Sequence, residues 1–348
     1  MRVVHLLTIP LFAALMLFLS PAQAQQAAYV LKIASVAPDG SPWAEGLKEF
    51  KGQAEKLAGG KLQVKLFIGG VLGDENETVL QTQRGQIQGV GASTGALASL
   101  VPDLSVMELP FLFNNAKEAD HVLDNVVFKS SEAAFQSKGL VLGFWSENGF
   151  RCFGSSYGPI KTPADMKGRK MRSQENPVHI EMYKAFGATP VPIPTTEVLT
   201  SLQTGVVEGY DNTPLFAFAA QWTSGTKYFS VTRHMYQPAA IVYNKTWFDA
   251  LPADVKTALL SARVVQPGQT VPLTQKLRDE IRAMDPILLE NLKSMKIQVY
   301  QPTSADLAAF QGPAKVARDS YMSTKASSGE KAMYAQIDAG LKAYRSSH

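Results

Sequence analysis

A regular alternation of extended and helical segments is the feature of this chain that most restricts its fold. The pattern predicts strands over residues 29–36, 62–68 and 87–90, with helices that begin at Ser41 and near Asp74. Strands that alternate with helices pair in parallel, because each helix returns the chain to the same edge of the sheet. The first part of the chain is therefore predicted to be an α/β unit.

A second alternation of the same kind lies within residues 161–209, and the chain is mostly helical after Leu251. Between the two alternations, residues 140–155 are predicted to form two extended segments joined by a turn at 147–149. A chain of 348 residues also exceeds what one hydrophobic core usually organises. We interpret residues 140–155 as a crossing between two lobes.

These patterns predict a two-lobed α/β protein with a central ligand cleft, hinge strands and long C-terminal helices. Lobe 1 is expected to combine residues 25–148 with 236–270, and lobe 2 to combine residues 149–235 with 271–348. A cleft between two lobes suits ligand capture by hinge closure.

The N-terminus, residues 1–24, has the pattern of a secretory signal peptide. Arg2 precedes an apolar run over residues 6–19, and the small residues Ala22 and Ala24 fit cleavage after Ala24. The apolar run is too short to span a bilayer. We therefore expect an exported protein of the periplasm.

The composition excludes several classes of protein. Hydrophobic residues make up 45% and charged residues 18%, which is typical of a globular chain and not of a disordered or membrane-embedded one. The net charge of +4 is mild and the basic residues are spread along the chain, so no nucleic-acid partner is expected. Histidines are isolated and Cys152 is the only cysteine, so we expect no metal site, no cofactor and no internal disulfide.

The segment 91–95, Gly-Ala-Ser-Thr-Gly, matches the nucleophile elbow of serine hydrolases and follows a predicted strand. Asp211 and His234 follow in the chain order of a triad, so an exported serine hydrolase that uses Ser93 is one hypothesis, although the sequence contains no His-Gly-Gly-Gly oxyanion segment. In a second interpretation, backbone amides and the hydroxyls of Ser93 and Thr94 donate to an anionic ligand at the start of a helix.

Two arginines, Arg151 and Arg172, each lie at the end of an extended segment among apolar or small residues. A guanidinium presents a planar fork that matches a carboxylate, and burial of this cation without a partner is unfavourable. The partner of each arginine is either a ligand carboxylate or an acidic residue of the chain, and position alone does not choose between them.

An ordered set of motifs resembles the dicarboxylate-type (DctP) solute-binding family of tripartite ATP-independent periplasmic (TRAP) transporters. The match covers nearly all of the chain after residue 24. Its most specific parts are 108–113 (ELPFLF), 147–151 (ENGFR), 168–172 (GRKMR), 187–192 (GATPVP), 202–209 (LQTGVVEG) followed by Asn212, 243–245 (YNK) and 251–254 (LPAD).

The resemblance implies a periplasmic binding protein that captures an organic acid through its carboxylate and delivers it to a small and a large membrane subunit. Such proteins have no enzymatic activity. We further expect a monomer. A periplasmic ligand-sensing module with the same fold is a second alternative to transport.

The resemblance also implies roles for single residues. In similar proteins, the arginine at the position of Arg172 pairs with the ligand carboxylate, and the positions of Arg151 and Asn212 supply further polar contacts. We add three residues to the expected ligand-binding set, namely Ser93, Thr94 and Glu147.

The sequence departs from the family pattern at two places. Thr195 and Thr196 stand where family members often carry an aromatic residue, which predicts a wider or more polar pocket. Tyr210 and Asp211 replace two familiar polar residues. Asp211 would repel a carboxylate ligand unless its side chain points away or pairs with a cation.

Overall fold

The computed structural model describes residues 27–348, so the predicted signal peptide and its cleavage after Ala24 lie outside the described residues. The strands are β1 (Tyr29–Ser35), β2 (Leu62–Phe67), β3 (Gly89–Ser93), β4 (Leu140–Ser155), β5 (Lys170–Ser173), β6 (Thr189–Pro192), β7 (Gly209–Asn212), β8 (Tyr228–Asn244) and β9 (Gln298–Tyr300). The helices are α1 (Pro42–Leu57), α2 (Glu75–Gln83), α3 (Thr94–Leu97), α4 (Ala116–His121), α5 (Phe128–Ser137), α6 (Pro177–Ala185), α7 (Val198–Gln203), α8 (Pro214–Ala219), α9 (Lys245–Asp249), α10 (Ala253–Leu260), α11 (Leu273–Ser294), α12 (Ser304–Thr324) and α13 (Ser328–Ser347).

The strands form one mixed sheet in the order β2-β1-β3-β8-β4-β7-β5-β6, and β9 pairs with β8. Strand β1 is parallel to β2 and β3, and β5 is parallel to β6 and β7, as the two alternations predicted. Strands β4 and β8 are antiparallel to each other and to their other neighbours β7 and β3. The sheet thus consists of two parallel groups, and two antiparallel strands join them.

Both joining strands are long and continuous, and β4 differs from the prediction, because it is one strand where two segments were expected. Strand β4 continues through residues 147–149, and β8 continues through 233–239. Irregular pairing between Leu142 and Phe144, and again near Gly149 (φ +102°), lets β4 bend without ending. The crossing predicted for 140–155 is therefore a continuous bent ribbon that belongs to both halves of the sheet.

Helix α1 shows how local sequence and packing agree. Ser41 caps it by accepting a hydrogen bond from the amide of Ala44 at 3.3 Å, and proline follows at the first helical position. The buried face includes Trp43, Leu47 and Phe50, which pack with residues of β1 and β2 in one apolar cluster. These apolar residues recur at helical spacing in the sequence, which places them on one face of the helix.

The last two helices pack against different halves of the molecule. Helix α12 packs against α6, in the second half of the molecule. Helix α13 instead packs against residues 102–126, and its buried residues Met333, Ile337 and Leu341 share a cluster with Leu104. The last helix thus contacts the first half of the molecule.

The topology brings four strand ends together. The carboxyl ends of β1 and β3 lie on one side of the β8–β4 pair, and those of β5 and β7 lie on the other side. In open α/β sheets, ligands bind beyond the carboxyl ends of parallel strands. Of the helices between residues 27 and 348, none has the length and apolar character needed to cross a bilayer.

Candidate functional site

A cleft of about 610 Å³, including the part open to solvent, lies at these strand ends. Each of the four strands contributes a polar or charged residue from its last two positions: Ser35, Ser93, Arg172 and Asn212. An aromatic residue, Trp43, adds an apolar wall. The charged and amide side chains of the lining are Glu75, Asn148, Arg151, Arg172, Gln174, Asn212 and Gln237.

Arg172 is only 2% exposed and presents its guanidinium to this cleft. Its Nε donates to the carbonyl of Ile193 at 2.9 Å, and Nη2 lies 3.4 Å from the hydroxyl of Thr195. Of the five N–H bonds of a guanidinium, these contacts use two and leave three. The ring of Trp222 lies 5.3 Å from the guanidinium carbon, which is within cation–π range.

No carboxylate neutralises Arg172 within the described part of the chain, where no acidic oxygen lies within 4.0 Å of its nitrogens. Burial, together with the neighbouring charge of Arg151, lowers the pKa of Arg172 to about 10. The group is still a cation at neutral pH. A buried cation with three N–H bonds free of protein acceptors can bind a carboxylate from outside the chain.

Arg151 is also buried, but its partner is an acidic residue of the chain. Its Nε lies 2.5 Å from Oδ2 of Asp211, and Nη2 donates to the backbone carbonyl of Asp211. Nη1 donates to Oε1 of Gln237 at 2.7 Å. Of the two hypotheses for this arginine, the structure selects the salt bridge within the protein, although Arg151 still lines the cleft.

Asp211 is fully buried at the centre of this polar network. Burial alone would raise the pKa of its carboxyl, but the charge of Arg151 and the nearby ring of His234 hold the pKa well below its usual range. The hydroxyl of Tyr183 also donates to it, at 2.9 Å. The repulsion between Asp211 and a ligand carboxylate, which the sequence suggested, is thus removed by pairing with a cation.

Asn212 has one polar atom committed to the protein and one available. Its Oδ1 accepts from the amide of Thr213 at 2.8 Å and lies 3.4 Å from Nη1 of Arg151. Its Nδ2 donates to no acceptor within residues 27–348. The side chain is 5% exposed and lines the cleft, so Asn212 can offer a hydrogen-bond donor beside Arg172.

The start of helix α3 does not hold an empty anion site, because two carboxylates of the chain already occupy it. The amide and hydroxyl of Ser93 donate to Glu75, at 2.8 and 2.9 Å. The hydroxyl of Thr94 and the amide of Gly95 donate to Glu108. The donors expected to bind an anionic ligand are thus used inside the protein.

Ser93 and Thr94 consequently have different positions. Ser93 remains in the cleft wall, where its hydroxyl also accepts from Nε2 of Gln174 at 2.8 Å. Thr94 faces away from the cleft, toward the buried pair of Glu108 and His179. The structure therefore places Thr94 outside the expected ligand site.

Glu147 likewise lies outside the cleft lining. Its carboxylate accepts from the guanidinium of Arg282 and from the hydroxyl of Tyr236. Burial raises the pKa of Glu147, and Arg282 opposes the rise. Residues four apart on a regular strand share a face, but the irregular pairing of β4 between Glu147 and Gly149 breaks this alternation, so Glu147 does not line the cleft as Arg151 does.

The serine hydrolase hypothesis required a histidine at Ser93. The hydroxyl of Ser93 is bonded to Glu75 and Gln174 instead. His234 directs Nδ1 to the hydroxyl of Thr232 at 2.8 Å, and its Nε2 lies 3.6 Å from Asp211. The three residues of the proposed triad are therefore not linked in the order that nucleophilic catalysis requires.

The sequence analysis missed Glu75 and Gln174 as cleft residues. Gln174 directly follows β5, and this position at a strand end was a usable signal. Glu75 is the first residue of helix α2, and its place in the cleft depends on its contact with the distant Ser93. Over residues 27–348, no cluster of three or more His, Cys, Asp or Glu side chains is arranged to hold a metal ion.

Comparison with known proteins yields consistent matches. A solute-binding protein from Verminephrobacter eiseniae is 38% identical over 61% of this chain and 64% of its own length. The 2,3-diketo-L-gulonate-binding periplasmic protein YiaO of Escherichia coli is 34% identical over 62% of this chain and 66% of its own length. The aligned part of this chain thus spans about two thirds of these relatives.

A solved structure shows the same fold. The sugar acid binding protein DctPAm from Advenella mimigardefordensis, in complex with galactonate, superposes with a TM-score of 0.83 at 26% identity, over 90% of this chain and 99% of that one. The model of the DctP family, described as bacterial extracellular solute-binding protein family 7, matches residues 33–324. With the two-lobed fold and the cleft described above, the chain belongs to this DctP family of solute-binding proteins.

Proposed function

We propose that this protein is the periplasmic solute-binding subunit of a TRAP transporter, which captures an organic acid through its carboxylate. The observation that carries the proposal is Arg172, a buried cation at the cleft with no acidic partner among the described residues. The names of the relatives agree, since YiaO binds 2,3-diketo-L-gulonate and DctPAm was solved with galactonate. Both compounds are organic acids.

Capture would proceed by closure of two lobes around the ligand. We place the division across β4 and β8, with the β1–β3 group in one lobe, the β5–β7 group in the other, and helix α13 in the first. Arg172 and Asn212 come from one lobe, and Ser93 and Glu75 come from the other. A ligand that bridges them makes more contacts in the closed state, which shifts the equilibrium toward closure.

The remaining parts of the proposal follow from this role. The protein acts as an exported monomer without catalytic activity, and it delivers its ligand to one small and one large membrane subunit. The absence of a histidine bonded to Ser93 within residues 27–348 supports a binding role over hydrolysis.

A thermal-shift screen tests the proposal. The mature protein is heated with a panel of organic acids and with the amide of each acid, which keeps the shape but removes the charge. We expect at least one acid to raise the melting temperature and its amide to raise it far less. The proposal fails if no acid stabilises the protein or if amides stabilise it equally.

A further inference from the structure

Glu75 is the only acidic residue in the described lining of the cleft, and capture of a carboxylate by Arg172 makes no use of it. We infer that Glu75 determines ligand specificity by accepting hydrogen bonds from ligand hydroxyls, so that the ligand is a polyhydroxylated monocarboxylate. This inference rests on the proposed function and narrows it to one class of acid.

The Glu75 carboxylate is held in a fixed orientation with acceptor capacity left. Ser93 donates to both carboxylate oxygens, and Nε2 of Gln174 lies 3.5 Å from one of them. A carboxylate has about four acceptor positions, so these three donors leave at least one. The side chain is 8% exposed, and that small exposure is at the cleft. A ligand O–H at this point would complete the hydrogen bonding of Glu75.

The charges in the cleft allow only one ligand carboxylate. The two cations in the described lining of the cleft are Arg151 and Arg172, and Arg151 is already paired with Asp211. Arg172 can thus neutralise one carboxylate, while a second one would reach the side of Glu75 without a cation to meet it. A dicarboxylate is therefore disfavoured relative to an acid with a neutral polar chain.

The free amide atoms of the cleft fit hydroxyls better than an ammonium group. Four amide side chains line the cleft, those of Asn148, Gln174, Asn212 and Gln237. Both amide atoms of Gln174 and Gln237 are bonded within the protein, so among the described residues Oδ1 of Asn148 lacks a donor and Nδ2 of Asn212 lacks an acceptor. A hydroxyl can both donate and accept, so a polyol chain can meet both atoms, whereas an ammonium group has three donors and no acceptor.

The experiment is a calorimetric titration of the mature protein with sets of acids matched in length, from four to six carbons. Each set contains aldonates of different configuration, the unsubstituted alkanoate, the aldarate with a second carboxylate, and the ω-amino acid. We expect the best aldonate to bind at least about 100-fold more tightly than the alkanoate, since several hydroxyl contacts contribute. A preference for the aldarate, the amino acid or the alkanoate would overturn the inference.

The substitution Glu75→Gln tests whether the preference for aldonates comes from Glu75. It should reduce the ratio of aldonate to alkanoate affinity by about 10- to 100-fold, because an amide oxygen is a weaker acceptor than a carboxylate oxygen and the new NH₂ group cannot accept from a ligand hydroxyl. A purely structural role in closure would change both affinities equally and leave this ratio unchanged, which would also overturn the inference. Glu77→Gln is the matched control, because Glu77 is exposed on the same helix turn.

The two proposals fail in different ways. If no acid binds, the proposed function fails. If acids bind without preference for aldonates, the proposed function stands and only the role of Glu75 is lost. The comparison of acids in the unaltered protein decides the ligand class even if Glu75→Gln does not fold.

Discussion

The side chains of Arg151 and Asp211 form an ion pair in the protein interior, with 2.5 Å between Nε and Oδ2 and at most 2% of either side chain exposed. The pair neutralises both of its groups, so the two arginines of the cleft have different roles. Arg151 stabilises the network behind the cleft, and Arg172 keeps its charge for a ligand. The aspartate that departs from the family pattern is therefore part of the scaffold.

Asp211→Asn should strongly destabilise the protein. It leaves Arg151 as a buried cation without its partner, for which a loss of about 3–5 kcal/mol in the free energy of unfolding is typical. Urea denaturation followed by circular dichroism measures the loss. Asp254→Asn is the control, since Asp254 pairs with Lys61 on the surface and should contribute little. Equal stability of Asp211→Asn and the unaltered protein would contradict the role of the pair.

Gln174→Ala should weaken the binding of all acids by a similar factor. Gln174 donates to Ser93 across the cleft at 2.8 Å and accepts from Gln237 at 2.8 Å, so its loss disfavours the closed state without removing a charge. We expect about a 5- to 30-fold loss of affinity by calorimetry. Gln136→Ala, at an exposed position of α5, should have no effect. A loss of affinity confined to one class of acid would contradict this role and show that Gln174 contacts the ligand directly.

Glu75→Gln should change how stability depends on pH. Burial, with the nearby charge of Asp74, raises the pKa of Glu75 to about 7 from a usual 4.5. Since the folded pKa is the higher one, the contribution of Glu75 to stability is complete below pH 4.5 and is lost as the pH rises through 7. Between pH 4.5 and 8, the free energy of unfolding of the variant should therefore rise relative to that of the unaltered protein by up to about 3 kcal/mol. Denaturation across this range measures the difference, and a constant difference would contradict it.

The parallel groups of the sheet could be predicted from the sequence, because local periodicity and helix caps such as Ser41 determine them. The continuity of β4 and β8 could not. Gly149 and its polar neighbours look like a turn, and only pairing with β8 keeps them extended. The position of α13 also depends on distant contacts. An apolar stripe such as that of Met333 and Ile337 indicates that a helix packs on the protein, but it does not identify the element on which the helix packs.

The candidate site was predictable in part for the same reason. The strand-end position of Arg172 follows from local structure, the role of Asn212 was implied by the family resemblance, and both residues line the cleft. The hydrogen-bond acceptors of Ser93 and Thr94 could not be predicted, because Glu75 and Glu108 are distant from them in sequence. The partner of Arg151 depended equally on a contact over 60 residues.

The central claim is that Arg172 binds the carboxylate of the ligand, and calorimetric titration of Arg172→Ala with the best acid tests it most directly. The account predicts that this variant keeps the apo fold but loses detectable binding, and that Arg172→Lys binds more weakly because an ammonium does not reproduce the fork. Arg169→Ala is the control, since Arg169 is on the same segment but 44% exposed and paired with Glu208. Unchanged affinity of a folded Arg172→Ala variant would contradict the account.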